Sequence, residues 1–177
     1  EKDEVLTLLD YTKDLVIAYL HRKFPENFSI ACRVLTEIRF RCPDFQPKTF
    51  LDFGAGLAPG GHAFFDIYIE GDKTLEKLRK TTRRSKKIED DSLGQSTQKN
   101  RIICVEPNQH MRRLGEYMSK ELGCMKWVES LYESFPLVSA SGFDLVYCSF
   151  VLEELPTAEK RMEVVQALYE RTNPDGH

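Results

Sequence analysis

Apolar residues in the first 41 positions recur at steps of three and four, the spacing of one face of an α-helix. In the first stretch these positions are Val5, Leu8, Leu9, Thr12, Val16, Tyr19 and Leu20. The pattern repeats from Phe28 to about Arg41, with Asn27 as a candidate N-cap, and Pro25 lies between the two stretches. Because proline removes a backbone donor, we expect two helices that separate at Pro25. Residues 1–47 are therefore predicted to form an N-terminal helical segment.

Four short apolar runs in the remaining residues, 48–177, are typical of buried parallel strands. They are 49–53, 101–106, 126–128 and 143–148. Amphipathic stretches at 62–69, 109–122 and 158–170 predict helices, the last with Met162, Val165 and Leu168 or Tyr169 facing inward. This alternation predicts an α/β fold, with a Rossmann-like, doubly wound and mostly parallel sheet. A turn at 173–177 is expected to lead into another strand, so we interpret the sequence as a fragment truncated after the fourth strand.

Between the first and second predicted strands, residues 70–100 are charged and polar, with few large apolar side chains. We interpret this segment as an insertion or a mobile loop. It contains a dense basic run, with Lys77, Arg79, Lys80, Arg83, Arg84, Lys86 and Lys87. Such a run releases counterions from phosphates and is a candidate RNA contact, although solvated loops carry similar charge.

Composition narrows the partners and the chemistry. The 177-residue chain has a formal net charge of −3, so a nucleic-acid contact has to come from a local patch. No apolar run reaches the roughly 20 residues needed to cross a bilayer, and we expect no membrane partner. The five cysteines show no CxxC spacing, which favours packed thiols in a reducing compartment over disulfides. The four histidines show no ligand spacing, and we expect no metal site.

The most informative local motif is the glycine turn at 54–60, directly after the first strand. Gly54 and Gly56 let backbone amides approach a ligand, and the start of the next helix adds a favourable dipole. Asp52 lies one residue inside the strand, and Ala58 lies within the turn. The methionine moiety and ribose of S-adenosylmethionine are expected to lie over this turn. The alternative is a tight strand-to-helix turn without a ligand.

The ends of the other strands supply the remaining candidate cofactor contacts. Glu106 ends the second strand, where a carboxylate can accept both ribose hydroxyls, and the insertion explains its long distance from the glycine turn. Ser130 and Leu131 follow the third strand, where a partner for adenine is expected. Ser149 follows the fourth strand, in the segment that faces the methyl group in class I methyltransferases.

No residue is assigned a catalytic role. Cys148 lacks the Pro-Cys setting of a nucleophile for cytosine C5 chemistry. Glu153 and Glu154 are candidate bases, but they equally fit the solvated start of a helix.

Several segments, in order along the chain, resemble the methyltransferase-like family associated with the mitochondrial small ribosomal subunit. The segment 22–28 is similar to the family's Arg-x-x-Pro-x-x-Tyr/Phe pattern, and 34–38 with 41–47 resembles its Val-Leu-x-Glu-Leu and Arg-x-Pro-x-Phe-x-Pro pattern. Residues 51–56 resemble its cofactor strand and turn, and 105–108 with Met111, Leu114 and Gly115 its second-strand motif. Residues 149–156, followed by Arg161, resemble its Ser-x-x-Leu-x-Glu-Leu-Pro segment.

The resemblance covers most of the chain apart from the insertion. It implies a class I methyltransferase fold in a factor for assembly or stabilisation of the small ribosomal subunit, located in the mitochondrial matrix. It implies contacts with the small-subunit rRNA and with ribosomal or assembly proteins, and it leaves open whether methyl transfer is retained. An iron–sulfur cluster is implied only for cysteines beyond the fifth strand, outside this sequence. The alternatives are an active S-adenosylmethionine-dependent RNA methyltransferase and a small-molecule methyltransferase.

Overall fold

The computed structural model describes residues 11–71, 101–137 and 142–174. It opens with one continuous helix, α1 (Lys13–Arg41), with Thr12 as the N-cap, whose hydroxyl accepts from the Leu15 amide. Pro25 lies inside this helix, so the prediction of two helices divided at Pro25 is wrong. Asn27 is not an N-cap, because it lies in the interior of α1. Its side-chain amide donates to the Tyr19 hydroxyl at 3.1 Å.

Packing on both sides of Pro25 explains why α1 continues. Val16 precedes the proline and Ala31 and Leu35 follow it, and all three side chains are buried. Pro25 removes the hydrogen bond that its own amide would donate, and a proline ring crowds the preceding helical turn, but a break would expose apolar surface on either side.

Four strands form one parallel sheet, as the sequence predicts. They are β1 (Phe50–Phe53), β2 (Ile102–Val105), β3 (Met125–Val128) and β4 (Leu145–Cys148). Their order across the sheet is β3-β2-β1-β4, with Phe50 opposite both Ile102 and Leu145. The chain after the last helix returns to this edge, where Phe143 forms an isolated parallel bridge with Thr172.

The connecting helices are present where the apolar spacing predicts them, with shifted ends. Helix α2 (Pro59–Phe64) begins three residues before the predicted start and continues as a π-helical stretch, Phe65–Glu70. Helix α3 (Gln109–Ser119) ends in a short 3-10 turn, Lys120–Leu122. A single turn, α4 (Leu131–Ser134), follows β3, and α5 (Ala158–Tyr169) follows β4.

Strand residues alternate between two faces of the sheet, and each face has its own core. One face packs Phe50, Ile102 and Trp127 against α1 and α2. The other face packs Leu51, Ile103 and Leu168 of α5 together. Layers on both faces confirm the doubly wound α/β fold.

The predicted inward face of α5 is only partly correct. Leu168 is buried, but Met162 is 66% exposed, and Val165 and Tyr169 are exposed as well. Three-residue spacing located the apolar stripe, but only one end of α5 meets the sheet within the described part of the chain.

Candidate functional site

The glycine turn leaves β1 in a left-handed backbone conformation. Gly54 has φ +68° and Gly56 has φ +57°, values that favour glycine. A Cβ on Gly54 would lie 2.5 Å from Cγ2 of Val151, in the segment after β4. Absence of a side chain at Gly54 therefore lets two strand-end segments meet above the carboxyl edge of the sheet.

Ala58 completes the turn at the N-cap of α2. It is fully buried and takes φ +57°, a conformation that costs an ordinary residue roughly 1–2 kcal/mol. Pro59 then occupies the first helical position, where its missing amide hydrogen is not needed. Ala58 is part of the turn, and its side chain packs in the core and not in the cavity.

Asp52 is buried beneath the turn. Its Oδ2 accepts a hydrogen bond from the Gly61 amide at 2.9 Å, in the first turn of α2. Burial raises the pKa of Asp52 to about 7; the Gly61 hydrogen bond lowers it and the nearby Glu106 carboxylate raises it further. The side chain therefore titrates near neutral pH, and a cation placed beside it would stabilise its charged form.

Glu106 connects the end of β2 to the glycine turn. Oε2 accepts from the Gly56 amide and Oε1 accepts from the Asn108 amide, both at 2.7 Å. Burial raises the pKa of Glu106, while these two backbone donors and Arg112 oppose the rise. Each oxygen retains lone-pair capacity for a further donor, as ribose recognition requires.

A cavity of about 520 Å³ opens between the turn and α1. Four predicted cofactor residues line it together: Gly54, Gly56, Glu106 and Ser149. The volume lies within the range of small-molecule sites. The cavity lies at the carboxyl ends of β1, β2 and β4. Ligands of open parallel sheets bind at this edge.

Sequence reasoning missed the wall that α1 contributes to this cavity. Tyr19, Lys23, Glu26 and Asn27 line it from the helix, and Tyr11 lines it from the preceding residues. These side chains are polar or amphipathic at helical spacing, which resembles a solvated helix face. The available signal was the cluster of tyrosine and asparagine on the face that also carries buried Val16.

Phe150 lines the cavity. It is 51% exposed and has φ +64°, a left-handed conformation that is uncommon for an aromatic residue. Strained residues of this kind cluster at ligand sites. The backbone turn at Phe150 places Ser149 and Val151 on the cavity wall.

The remaining predicted cofactor residues lie elsewhere. Asp52 lines a smaller cavity of about 20 Å³ beside the main one. Ser130 and Leu131 are not among the residues that line either cavity. The Ser130 hydroxyl donates to Glu133, and Leu131 packs on the core face shared with Leu51. Their assignment to adenine stays a prediction.

The basic run at 77–87 lies outside the described residues. Within the described ranges no group of three or more histidine, cysteine or acidic side chains is arranged to hold a metal ion. The five cysteines are all free thiols, and Cys104 and Cys124 are buried. None of the helices in the described ranges is both long enough and apolar enough to cross a membrane.

The strand order, the glycine turn and the acid at the end of β2 define a Rossmann-like domain of the class I methyltransferase type. A family model described as mitochondrial small ribosomal subunit Rsm22 matches residues 13–99. The chain is also 30% identical over 168 residues to the human "Ribosome assembly protein METTL17, mitochondrial". The alignment covers 93% of this chain and 31% of the human protein, so the chain spans about a third of that relative. Both matches support membership of this mitochondrial small-subunit family of methyltransferase-like proteins.

Proposed function

We propose that this chain is the cofactor-binding part of a mitochondrial factor for assembly of the small ribosomal subunit, and that its pocket binds S-adenosylmethionine. Family membership and the name of the human relative support the assembly role. The observation that carries cofactor binding is the Glu106 carboxylate, held by the Gly56 amide at the wall of a 520 Å³ cavity.

The residues present fit the cofactor. Glu106 would accept from the ribose hydroxyls, and the bare backbone at Gly54 and Gly56 leaves room for the nucleoside to lie close. Pro107 and Met111 would supply apolar contact in the same cavity. The bound cofactor supplies an electrophilic methyl group, and the residues of this chain bind and orient it.

Contact with small-subunit rRNA in the mitochondrial matrix is part of the same proposal. The basic run at 77–87 supports it. The whole chain has a net charge of −3 and does not attract phosphates in general, so a contact with RNA needs a local basic segment. Ribosomal or assembly proteins would be the further partners. The iron–sulfur cluster belongs, in this proposal, to residues outside this sequence, because no cysteine group in the described ranges converges on a metal position.

Calorimetric titration with S-adenosylmethionine tests the cofactor claim. We expect micromolar binding that Glu106→Gln weakens at least tenfold, because the amide cannot accept from ribose and from both backbone donors. Glu116→Gln, on the exposed surface of α3, is the matched control. Thermal unfolding of both variants verifies that the fold is intact. A folded wild-type protein that binds no cofactor at millimolar concentration would refute the claim.

An active RNA methyltransferase is the second candidate function. The observation that favours it is Phe150, an exposed aromatic side chain that lines the cavity, in the segment that would face a methyl acceptor. Transfer of a labelled methyl group from the cofactor to small-subunit rRNA would establish it. Cofactor binding without transfer to rRNA favours the assembly role without turnover.

A further inference from the structure

The ends of β2 and β3 are joined by the side chain of Arg112, on α3. Its Nη1 donates to the carbonyl oxygens of Glu106 at 2.6 Å and Pro107 at 3.1 Å. Its Nη2 donates to Oε2 of Glu129, the residue after β3, at 3.0 Å. A guanidinium is planar and holds its donors at fixed angles, so this side chain fixes three acceptors on two strand ends.

Arg112 lies behind the cavity wall. Its side chain is only 17% exposed, and it is not among the residues that line either cavity. The Glu106 carboxylate, in contrast, belongs to a residue that lines the main cavity. Arg112 therefore contacts the backbone that carries Glu106, and it acts on a ligand only through that residue.

Hydrogen bonds on both sides fix the backbone from which Glu106 projects. The Glu106 amide donates to the Val128 carbonyl at 3.0 Å, next to the last paired residues of β2 and β3. Pro107 has no amide hydrogen, so it cannot extend this pairing as a donor. The guanidinium binds the carbonyls of Glu106 and Pro107 at this point and holds the turn into α3.

The charge of Arg112 also favours the ionised form of Glu106. Burial raises the pKa of Glu106 and Glu154 raises it further, while two backbone amides and Arg112 lower it. The other ionisable groups that interact with Glu106 are Asp52, Tyr11 and Tyr19. All of these groups are acids, so among the side chains named here only Arg112 brings positive charge to the carboxylate.

We propose that Arg112 is a positioning residue for ribose recognition: it keeps the Glu106 carboxylate charged and directed at the ribose hydroxyls of the ligand. Glu129 completes the arrangement, because its bond to Nη2 orients the guanidinium toward the two carbonyls. This inference rests on the proposed binding of S-adenosylmethionine. It adds to the site a residue that touches no ligand atom.

Ligands with and without the ribose hydroxyls test the positioning role. In calorimetric titrations of the whole protein at neutral pH, we expect Arg112→Gln to weaken S-adenosylhomocysteine about tenfold, because the misplaced carboxylate loses its bonds to ribose. An analogue that lacks both ribose hydroxyls should stay within about twofold, since it has no such bonds to lose. Arg113→Gln, at the exposed neighbouring position on α3, is the matched control and should change neither.

Arg112→Lys separates the charge from the geometry. A lysine keeps the positive charge, but its ammonium lacks the planar fork that spans the three acceptors. We expect Arg112→Gln to raise the pKa of Glu106, so that affinity for S-adenosylhomocysteine is lost at a higher pH than in the wild type as the pH falls. Arg112→Lys should weaken binding but keep the wild-type pH profile. Carbon-13 NMR of the Glu106 carboxyl measures the pKa in the ligand-free protein.

The outcomes separate this inference from the proposed function. Equal weakening of both ligands by Arg112→Gln, no effect on either, or an unchanged pKa of Glu106 would overturn the positioning role while cofactor binding stands. Failure of the folded wild-type protein to bind S-adenosylhomocysteine would overturn the proposed function as well. Thermal unfolding establishes that each variant is folded. If Arg112→Gln does not fold, Glu129→Gln provides the comparison and should weaken S-adenosylhomocysteine selectively, by about twofold.

Discussion

Glu106 has two tasks at the scale of single atoms. Its two oxygens anchor the amides of Gly56 and Asn108, and the same carboxylate faces the cavity. A loop that is already held by such bonds does not have to become ordered when a ligand arrives. Preorganisation of this kind raises affinity because less conformational entropy is lost on binding.

Asp52 makes stability depend on pH. Its pKa rises from 3.8 to about 7 on folding, so between roughly pH 4 and 7 the native protein holds a proton that the unfolded chain has released. The free energy of unfolding therefore falls as pH rises through this window, by up to about 1.4 kcal/mol per pH unit. Asp52→Asn should lack this decline.

Urea denaturation across that pH range checks the expectation. The difference between wild type and Asp52→Asn should decrease with rising pH and level off above about pH 7. Asp44→Asn, at an exposed position between α1 and β1, is the control. A constant difference for Asp52→Asn would contradict the assigned burial of a titrating carboxyl.

Local sequence was sufficient to find part of the site. Gly54, Gly56 and Glu106 follow strands directly, and the carboxyl ends of parallel strands converge at one edge. Tyr19 and Asn27 could not be found this way. They reach the site because α1 crosses the glycine turn, and helix orientation is decided by tertiary packing and not by local spacing.

At the scale of elements, α1 retains Pro25 at a cost. A proline inside a helix typically costs about 3 kcal/mol, and neighbouring packing keeps the helix continuous here. Pro25→Ala restores a donor for the carbonyl of His21, one turn earlier. We expect the free energy of unfolding to rise by about 1–3 kcal/mol, measured by chemical denaturation.

Pro43→Ala is the matched control for that substitution. Pro43 is exposed in the loop after α1, where no helical hydrogen bond is to be gained. It should leave stability unchanged or slightly lower, because the unfolded chain becomes more flexible. A stability loss in Pro25→Ala would show that the ring itself packs favourably.

The same balance between local and tertiary effects explains which elements the sequence predicted. All four strands were predicted, because a short apolar run followed by a glycine or acidic turn is typical of a buried strand. The break at Pro25 was wrong because burial of Ala31 and Leu35 outweighs one lost hydrogen bond. The prediction that Met162 is buried was wrong, because an amphipathic pattern identifies the apolar face of a helix but not the element that covers it.

At the scale of the whole molecule, acidic side chains are concentrated around the main cavity. Four carboxylates line the main cavity, from Glu26, Glu106, Glu153 and Glu154. Lys23 lines it as well, but Lys23 pairs with Glu26 at 3.2 Å. A pocket of this charge favours a cationic ligand over one that carries phosphate.

Charge selectivity can be measured with two ligands that differ by a sulfonium. S-adenosylmethionine carries one more positive charge than S-adenosylhomocysteine, so Glu153→Gln/Glu154→Gln should lower the ratio of their affinities. We expect about twofold per carboxylate at low salt, and less at high salt. Glu159→Gln/Glu163→Gln, on exposed α5, is the control. An unchanged ratio in calorimetry would contradict electrostatic selection.

The bridge between Phe143 and Thr172 marks the β4 edge as the side of the sheet where another strand can pair. It places the chain after α5 beside the start of β4, parallel to it, where an extended segment could continue the ladder. Elsewhere along β4, within the described residues, that flank has no strand beside it. An added strand there would end near Ser149 and Phe150, so the residues following it would form a new rim for the ligand's entrance.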